Sequence, residues 1–370
     1  MREITLRPDE FAFFSVPHSF CLAGERQHLL GLGSIVVAGD LRLGVSVEET
    51  ADPFELALAD EGVCVPRETL ASWEEALGAT AVRGAGELEG LKVSLRIGRL
   101  ADVCPAEGVL RIPAVAVALA CAVQANRGDV ESVPVEKLVE TAGAMLEQVT
   151  EAAGRSVYPQ QYHALCCASV LGGAAYVVPD EEPLNVQLLV PPESLILVLD
   201  PDAEPERDAP QWREHLLSAL RKIGPAADLL RDTERDIAPL FELPEGTLDE
   251  AETAVLYGLL RVREMIRERI ERMGGAMDND CLAELCDEES AILGDYLGFR
   301  SARLAEIRDL AVGSGALGAK LTWAFGDLPA LIIIAPGRRD DVCSAVTERI
   351  EERCILPFHI EPAGLRNERE

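Results

Sequence analysis

Ionisable side chains that could act on a ligand cluster near the start of the chain, where Glu25, Arg26 and His28 lie within four positions. Taken by themselves, these three residues are what a solvated polar loop contains. A second candidate is His163, the nearest titratable side chain in a stretch with no carboxylate between Arg155 and Val178. An imidazole can accept a proton at neutral pH, although a lone histidine beside an apolar run is more often packed in the core.

A turn rich in small residues lies near the other end of the chain, at positions 313–318. It leads into residues 319–322, and a second turn at Gly326-Asp327 precedes the continuous apolar run 330–335. Glycine has no side chain, so such a turn lets other backbone approach closely. A run without polar residues is typical of a fully buried strand. The pattern predicts a tight hairpin in a core sheet.

Residues 315–322 read Gly-Ala-Leu-Gly-Ala-Lys-Leu-Thr and resemble the third signature of the GHMP kinases, the superfamily that includes galactokinase, mevalonate kinase and homoserine kinase. The resemblance implies that Gly315, Gly318 and Thr322 belong to the nucleotide-phosphate region. In the family the phrase continues into several glycines. Here those places hold larger residues and only Gly326 is kept; the larger residues are Trp323, Phe325, Asp327 and Leu328.

Residues 17–28 resemble the first galactokinase signature, in which the phrase Pro-Gly-Arg-Val-Asn-Leu-Ile-Gly-Glu-His opens the sugar site. Four positions agree with it: Pro17, Leu22, Gly24 and Glu25. At the others, the family's phosphoryl-assisting arginine falls on Ser19, its asparagine on Cys21, its sugar-contacting histidine on Arg26 and the later aspartate on His28. The resemblance implies a substrate site at Glu25, Arg26 and His28, in which Glu25 alone has the family's residue type.

The second signature of the superfamily is a proline, a run of glycine and serine, and then a buried alanine-rich helix. The helix is predicted here, because the residues after Pro113 are apolar all round and proline suits a first helical turn. The loop is different: residues 107–113 contain one glycine, Gly108, among bulky side chains, and Arg111 offsets the charge of Glu107. The resemblance places Gly108 and Arg111 in the phosphate region and implies ATP and Mg²⁺ as cofactors. The departures argue against phosphate binding by free backbone N–H groups at a helix N-terminus.

The segment from 158 to 178 resembles the one that carries the superfamily's catalytic aspartate. In the family, that aspartate lies seven or eight places before a Gly-Gly pair. Counting back from Gly172 leads to Leu165 or Ala164, neither of which can accept a proton. His163 is therefore the candidate catalytic base by position.

The order of predicted elements resembles the GHMP kinases over nearly the whole chain and implies an α+β fold of two lobes. Residues 1–200 are expected to form an N-terminal, ribosomal-protein-S5-like lobe around a mixed sheet. Residues 201–370 are expected to form a C-terminal, ferredoxin-like lobe. The second lobe includes a long helix that ends at Met273 and a helix at 341–352.

The composition excludes several classes of partner. The 370 residues carry a formal net charge of −30, so phosphate backbones and anionic lipid are repelled, and neither nucleic acid nor a membrane is expected. The 10 cysteines are scattered without the spacing of a zinc or redox motif, which predicts no metal site and favours a reducing cytoplasm. No signal peptide is recognised at the N-terminus.

Three hypotheses for the function remain open. The favoured one is a galactokinase-like protein that is catalytically impaired and acts as a small-molecule sensor or interaction protein, with a sugar as the ligand class and a protein as a further partner. The second is a divergent ATP-dependent kinase that phosphorylates an alcohol group and uses His163, Arg26 or Arg111 in new roles. The third is a different enzyme on the same scaffold, with Glu25, His28 and His163 converging in the old sugar cleft.

Overall fold

The computed structural model describes residues 3–5, 11–30, 32–49, 55–58, 91–96, 113–125, 132–152, 160–178, 185–189, 195–200, 211–224, 244, 246–273, 278–324 and 328–367. Two residues of the predicted phosphate region, Gly108 and Arg111, lie outside these ranges. The described residues form a seven-stranded sheet, a four-stranded sheet and a separate two-stranded pair.

The strands, in chain order, are β1 Glu3–Thr5, β2 Phe11–Ala23, β3 Ser34–Glu49, β4 Glu55–Leu58, β5 Leu91–Arg96, β6 Ser132–Pro134, β7 Ala174–Val178, β8 Asn185–Leu189, β9 Leu195–Leu199, β10 Gly318–Ala324, β11 Leu328–Ile334, β12 Ile355–Phe358 and β13 Arg366–Asn367. The helices are α1 Pro113–Ala125, α2 Val135–Ala152, α3 Gln160–Leu171, α4 Gln211–Ile223, α5 Glu250–Met273, α6 Asn279–Leu297, α7 Ala302–Gly313 and α8 Arg339–Val346. None of these helices is long and apolar enough to span a membrane.

The seven-stranded sheet has the order β13-β2-β3-β5-β4, with β7 paired to β3 and β8 paired to β7. β4 and β5 are parallel and the other pairs are antiparallel, which gives the mixed sheet predicted for the first lobe. Helices α1, α2 and α3 contact one another, and α1 and α3 pack on β2. The described side chains of α1 are buried, as its apolar sequence requires.

The four-stranded sheet has the order β10-β11-β9-β12 and is antiparallel throughout. β10 and β11 form the hairpin that the glycine-rich turns predict. Sheet membership does not follow the expected division at residue 200, because β9 precedes it yet pairs in the second sheet, and β13 returns to pair with β2. Each sheet therefore takes one strand from the far side of that division.

Strand β3 runs without interruption through Gly39 and Asp40, although a Gly-Asp dipeptide is typical of a turn between two short strands. A side chain at Gly39 would come 2.9 Å from the Phe358 ring and 3.1 Å from the Phe20 ring. Those rings contact each other at a centroid distance of 4.9 Å. Glycine makes room here for an aromatic pair where β12 approaches β3, which is a known use of glycine inside strands.

Helix α6 runs along the edge of β10 that no described strand covers. It begins after Asp278, whose carboxylate caps the first turn. Two of its side chains accept hydrogen bonds from the exposed edge of the strand: Asp287 Oδ1 from Ala319 N at 3.4 Å and Ser290 Oγ from Leu321 N at 3.2 Å. They satisfy backbone groups that a bare edge would leave open, and they fix β10 against α6.

Candidate functional site

The predicted substrate residues lie on a turn that follows β2 and is held by α6. Gly24 has φ 83°, and a side chain there would come 2.8 Å from Ser34 Cα. The backbone N–H groups of Gly24 and Glu25 both donate to Glu289 Oε1 at 3.0 Å. Arg26 has φ 73°, which is a strained conformation for a residue with a side chain. The turn is thus fixed from the second lobe by one carboxylate.

The Glu25 carboxylate belongs to a buried cluster of four side chains. Its Oε1 accepts a hydrogen bond from Thr322 Oγ1 at 2.9 Å, and its Oε2 lies 3.5 Å from Lys320 Nζ. Lys320 Nζ also lies 3.1 Å from Glu289 Oε2 and donates to the Leu22 carbonyl at 3.3 Å. Lys320 and Glu289 are fully buried and Glu25 is 8 % exposed. Two carboxylates and one ammonium give the cluster a formal charge of −1.

Opposite charges decide the protonation of this cluster. Burial raises the pKa of Glu289, and the Lys320 ammonium opposes that rise. Burial by itself would lower the pKa of Lys320, but the carboxylates of Glu289 and Glu25 more than reverse this and raise it above its usual value. Lys320 is therefore charged at every physiological pH, and it neutralises part of two buried acids.

Two cysteines lie beside the same lysine without being reactive. Cys286 donates weakly to the Leu22 carbonyl at 3.5 Å, and Cys21 donates to the Ala23 carbonyl at 3.2 Å. Burial raises the pKa of both thiols, that of Cys286 to about 12. Because the thiolate is the nucleophile, neither cysteine can serve as one at neutral pH.

The Arg26 side chain is held on an aromatic pair. Its guanidinium carbon lies 5.3 Å from the centre of the Phe299 ring and 5.7 Å from that of Trp212, and the two rings meet edge to face at 5.5 Å. Cation–π contacts of this kind stabilise an arginine by roughly 0.5–2 kcal/mol each. In this structure Arg26, which takes the place of the family's sugar-contacting histidine, is stacked rather than presented on a flexible loop.

The two histidines predicted to be functional lie on different secondary-structure elements. His28 lies in the short 3-10 turn Gln27–Leu30, directly after the Glu25 turn, and its side chain is outside the described residues. His163 lies on α3, half-buried, with its ring packed against Gly143 of α2. A side chain at Gly143 would meet the ring at 2.5 Å from Cδ2 and 2.6 Å from Nε2.

A pair of neutral hydroxyls lies where β2 meets α3. Ser169 Oγ donates to Ser19 Oγ at 3.1 Å, and both residues are buried. By the resemblance described above, Ser19 takes the place of the family's arginine, and Leu165 or Ala164, about one helical turn before Ser169, takes that of its catalytic aspartate. This part of the structure combines two hydroxyls and an apolar side chain instead of a cation and a carboxylate.

The described residues of the predicted phosphate region have structural roles. Gly315 has φ 104°, which favours glycine, and precedes β10. A side chain at Gly318 would come 2.9 Å from the carbonyl oxygen of Ala283, so this glycine lets β10 approach α6. Thr322 is the partner of Glu25 described above. The structure therefore joins Thr322 to Glu25, and it places Gly318 at the start of the same strand and Gly315 three residues before it.

Glu289 and Lys320 are the site residues that the sequence analysis does not single out. A signal for Glu289 exists in the helical period, because it is four residues before Leu293 and three after Cys286, both of which are buried on α6. A charge on the buried face of a helix requires a partner. The partner itself cannot be found from periodicity, since Lys320 lies on a strand 31 residues later in the chain.

No protein-family model and no curated protein matches this sequence. The structure does match known folds. Galactokinase from Lactococcus lactis, in complex with galactose, gives a TM-score of 0.72 at 15 % identity over 97 % of this chain and 96 % of that chain. Mevalonate kinase from Methanococcus jannaschii gives 0.60 at 13 % identity, over 94 % and 98 %. MDDEF, in complex with MVAPP, AMPPCP and magnesium, gives 0.58 at 13 % identity, over 96 % and 98 %.

This chain has the GHMP-kinase fold. The α+β, two-lobed architecture expected from residues 315–322 and from the order of the elements is thereby confirmed. At 13–15 % identity the likeness concerns the fold, and the chemistry must be argued from the residues. Among the described residues, no group of three or more histidine, cysteine, aspartate or glutamate side chains could hold a metal ion.

Proposed function

We propose that this protein binds a small molecule of the sugar class beside Glu25 as a sensor or interaction protein, and that it lacks the ordinary phosphoryl-transfer chemistry of GHMP kinases. The observation that carries the proposal is the buried hydrogen bond between Ser169 and Ser19, 3.1 Å long. It occupies the region where the family resemblance requires an arginine and a carboxylate.

Phosphoryl transfer depends on positioning and on the neutralisation of developing negative charge. A cation near the transferring group and a base near the acceptor hydroxyl each contribute substantially. Ser19, Ser169 and Leu165 supply neither. Arg26, the nearest arginine on the site turn, is stacked on Phe299 and Trp212. This arrangement favours binding over transfer.

Glu25 is well suited to binding because its position is fixed from several directions. Its backbone N–H is held by Glu289, and its carboxylate is held by Thr322 and Lys320. A carboxylate whose rotamer is locked by its neighbours loses little entropy when it accepts hydrogen bonds from a ligand hydroxyl. The L. lactis galactokinase was crystallised with galactose, so galactose and related hexoses are the first ligands to test.

The fold implies ATP and Mg²⁺, but the described residues fit them poorly. They offer no carboxylate cluster for the metal ion. When bound, Mg-ATP would supply the phosphoryl group and its counter-charge. Ligand binding beside Glu25 requires neither of these.

A divergent kinase is the second candidate, and one observation favours it. The helix that follows the phosphate loop in the family is present as α1, begins at Pro113 and is buried in the core. The positive end of such a helix supports anion binding as part of this second candidate. MDDEF, which shares the fold, was solved with AMPPCP and magnesium.

Calorimetric titration separates the two candidates. The protein is titrated with galactose and a panel of hexoses, then with Mg-ATP and Mg-AMPPCP, and ADP release is followed in parallel. We expect a hexose to bind without sugar-dependent ADP release. We also expect Glu25→Gln to weaken sugar binding at least tenfold, while Glu271→Gln, an exposed control on α5, leaves it unchanged.

Two results would overturn the proposal. Sugar-dependent ADP release that is lost in Glu25→Gln would establish the kinase instead. A complete absence of hexose binding to the folded protein would remove the sugar class as ligand. Circular dichroism of each variant shows whether a lost signal reflects the site or the fold.

A further inference from the structure

A cavity of about 360 Å³ lies between α6 and α7, apart from the Glu25 turn. Its apolar surface includes Leu321 of β10 and Leu331 of β11, which are register partners in the hairpin. Ala291, Leu304 and Phe299 also line the cavity. The volume is within the range of about 300–1,000 Å³ that small-molecule sites occupy.

The cavity and the Glu25 cluster lie on opposite faces of β10. Successive side chains of a strand point to opposite faces. Lys320 and Thr322 point toward Glu25, and Leu321, between them, lines the cavity. The cavity is therefore a separate site, and the identity of its ligand does not rest on the function proposed above.

Two acid–base pairs border the cavity, with the acids on one side and the bases on the other. Asp287 of α6 pairs with Arg308 of α7 at 2.9 Å, and Asp295 of α6 pairs with Arg300 in the loop before α7. The side chains of these four residues are between 35 and 66 % exposed. They can be reached from solvent and can exchange one partner for a ligand at small cost.

The charges select a class of ligand. The border of the cavity is neutral in sum, whereas the chain carries −30. That field repels a simple anion at long range and attracts a simple cation to the whole surface. A ligand with a net charge would therefore not be selected by this cavity in particular. A zwitterion is indifferent to the overall field, and it can give its carboxylate to an arginine and its ammonium to an aspartate. We propose that the cavity binds an α-amino acid with an apolar side chain, which would lie on Leu321 and Leu331.

Ligand binding in the cavity is expected to change contacts on the other face of β10. Asp287 Oδ1 accepts from both Arg308 Nη2 and Ala319 N, so a ligand that takes Arg308 changes the bonding of β10. Phe299 lines the cavity and also lies against the guanidinium of Arg26 and the ring of Trp212. The fluorescence of Trp212 is therefore expected to respond to occupancy.

Calorimetry with L-leucine, L-methionine and L-phenylalanine tests the proposal. We expect at least one to bind with a dissociation constant on the order of 0.1–1 mM. Three analogues of leucine define the head group: isoamylamine lacks the carboxylate, 4-methylpentanoate lacks the ammonium, and N-acetyl-leucine amide lacks both charges. Each is expected to bind at least tenfold more weakly than leucine. Failure of all three amino acids at 10 mM, or equal binding of an analogue, overturns the proposal.

Two variants locate the site independently. Ala291→Trp places a ring in the mouth of the cavity from an exposed position of α6, and its control is Ala251→Trp, an exposed alanine of α5 outside the cavity. Arg308→Gln removes the cation on the opposite wall. We expect Ala291→Trp and Arg308→Gln each to weaken amino-acid binding at least tenfold and to abolish the fluorescence change, with Ala251→Trp unchanged. Binding that survives both substitutions in folded protein shows that the ligand is elsewhere, and the proposal fails.

Discussion

Replacing Lys320 by methionine removes the ammonium from the buried cluster at nearly constant side-chain volume. In the native protein, Lys320 Nζ lies 3.1 Å from Glu289 Oε2 and 3.5 Å from Glu25 Oε2. At an effective dielectric constant of about 20, each attraction is on the order of 5 kcal/mol, and most of it offsets the cost of burying the charges. The substitution leaves Glu289 fully buried beside a second carboxylate and without its cation.

We expect Lys320→Met to lower the free energy of unfolding by about 3–5 kcal/mol at pH 7.5, which is typical when one partner of a buried ion pair is removed. The loss should shrink as the pH falls. Burial raises the pKa of Glu289 while Lys320 opposes the rise. Without Lys320 the pKa rises further, so the folded variant binds a proton more tightly than the unfolded chain. That stability is present at acid pH and is lost as the pH rises through the folded pKa.

The assay is urea unfolding at pH 7.5 and pH 5.5, followed by circular dichroism. Lys137→Met, an exposed lysine of α2, is the matched control and is expected to change stability by no more than about 0.5 kcal/mol. In the double variant Lys320→Met/Glu289→Gln, the neutral amide still accepts from Gly24 and Glu25, so at least half of the loss should be recovered. A loss below about 1 kcal/mol for Lys320→Met, equal at both pH values, would refute the reasoning.

Single contacts elsewhere in the molecule lead to three further predictions. Gly143→Ala should destabilise the protein by about 1–3 kcal/mol, because the new methyl group meets the His163 ring at 2.5 Å. Gly313→Ala is the control: a methyl group there has no atom within 4 Å, so thermal melts should show a neutral or stabilising effect. Ser301→Ala should cost about 1 kcal/mol, since Ser301 caps α7 through Leu304 N, and Ser301→Asp should cost less. Cys286, with a pKa of about 12, should resist iodoacetamide at pH 8 in native protein and react in urea.

Each of these has a contrary result. Equal melts for the two glycine variants would show that the His163 ring moves aside freely. An unchanged melt for Ser301→Ala would mean that another group caps α7. Mass spectrometry that finds Cys286 labelled before the partly exposed Cys281 would show that the interface between β2 and α6 opens in the native state.

Local patterns in the sequence are sufficient to predict the long helices and buried strands of this fold. The long helix that was expected to end at Met273 is observed as α5, and the apolar run 330–335 is observed within and just after β11. Both predictions depend on periodicity or on unbroken apolarity over many residues. Such signals come from burial of a whole face, so a single substitution does not change them.

Features that depend on where a partner lies are harder to predict from the sequence. The expected helix at 341–352 ends at Val346, although Ile350 continues its buried spacing. The chain must turn there to enter β12, whose first residue, Ile355, pairs with Val198. The same cause explains Gly39, where glycine admits the ring of Phe358 from a strand more than 300 residues later. Sequence position gives no information on such encounters.

The third signature shows how structure and chemistry can separate within one motif. Its first half, residues 315–322, resembles the family's phrase, and the structure gives this half contacts that do not require a nucleotide. Gly318 allows close packing against α6, Lys320 pairs with Glu289, and Thr322 donates a hydrogen bond to Glu25. Its second half departs from the family, with Trp323 at a glycine position. Under the function proposed above, residues 315–322 serve to join the two lobes and to position Glu25, a role that does not depend on phosphate binding.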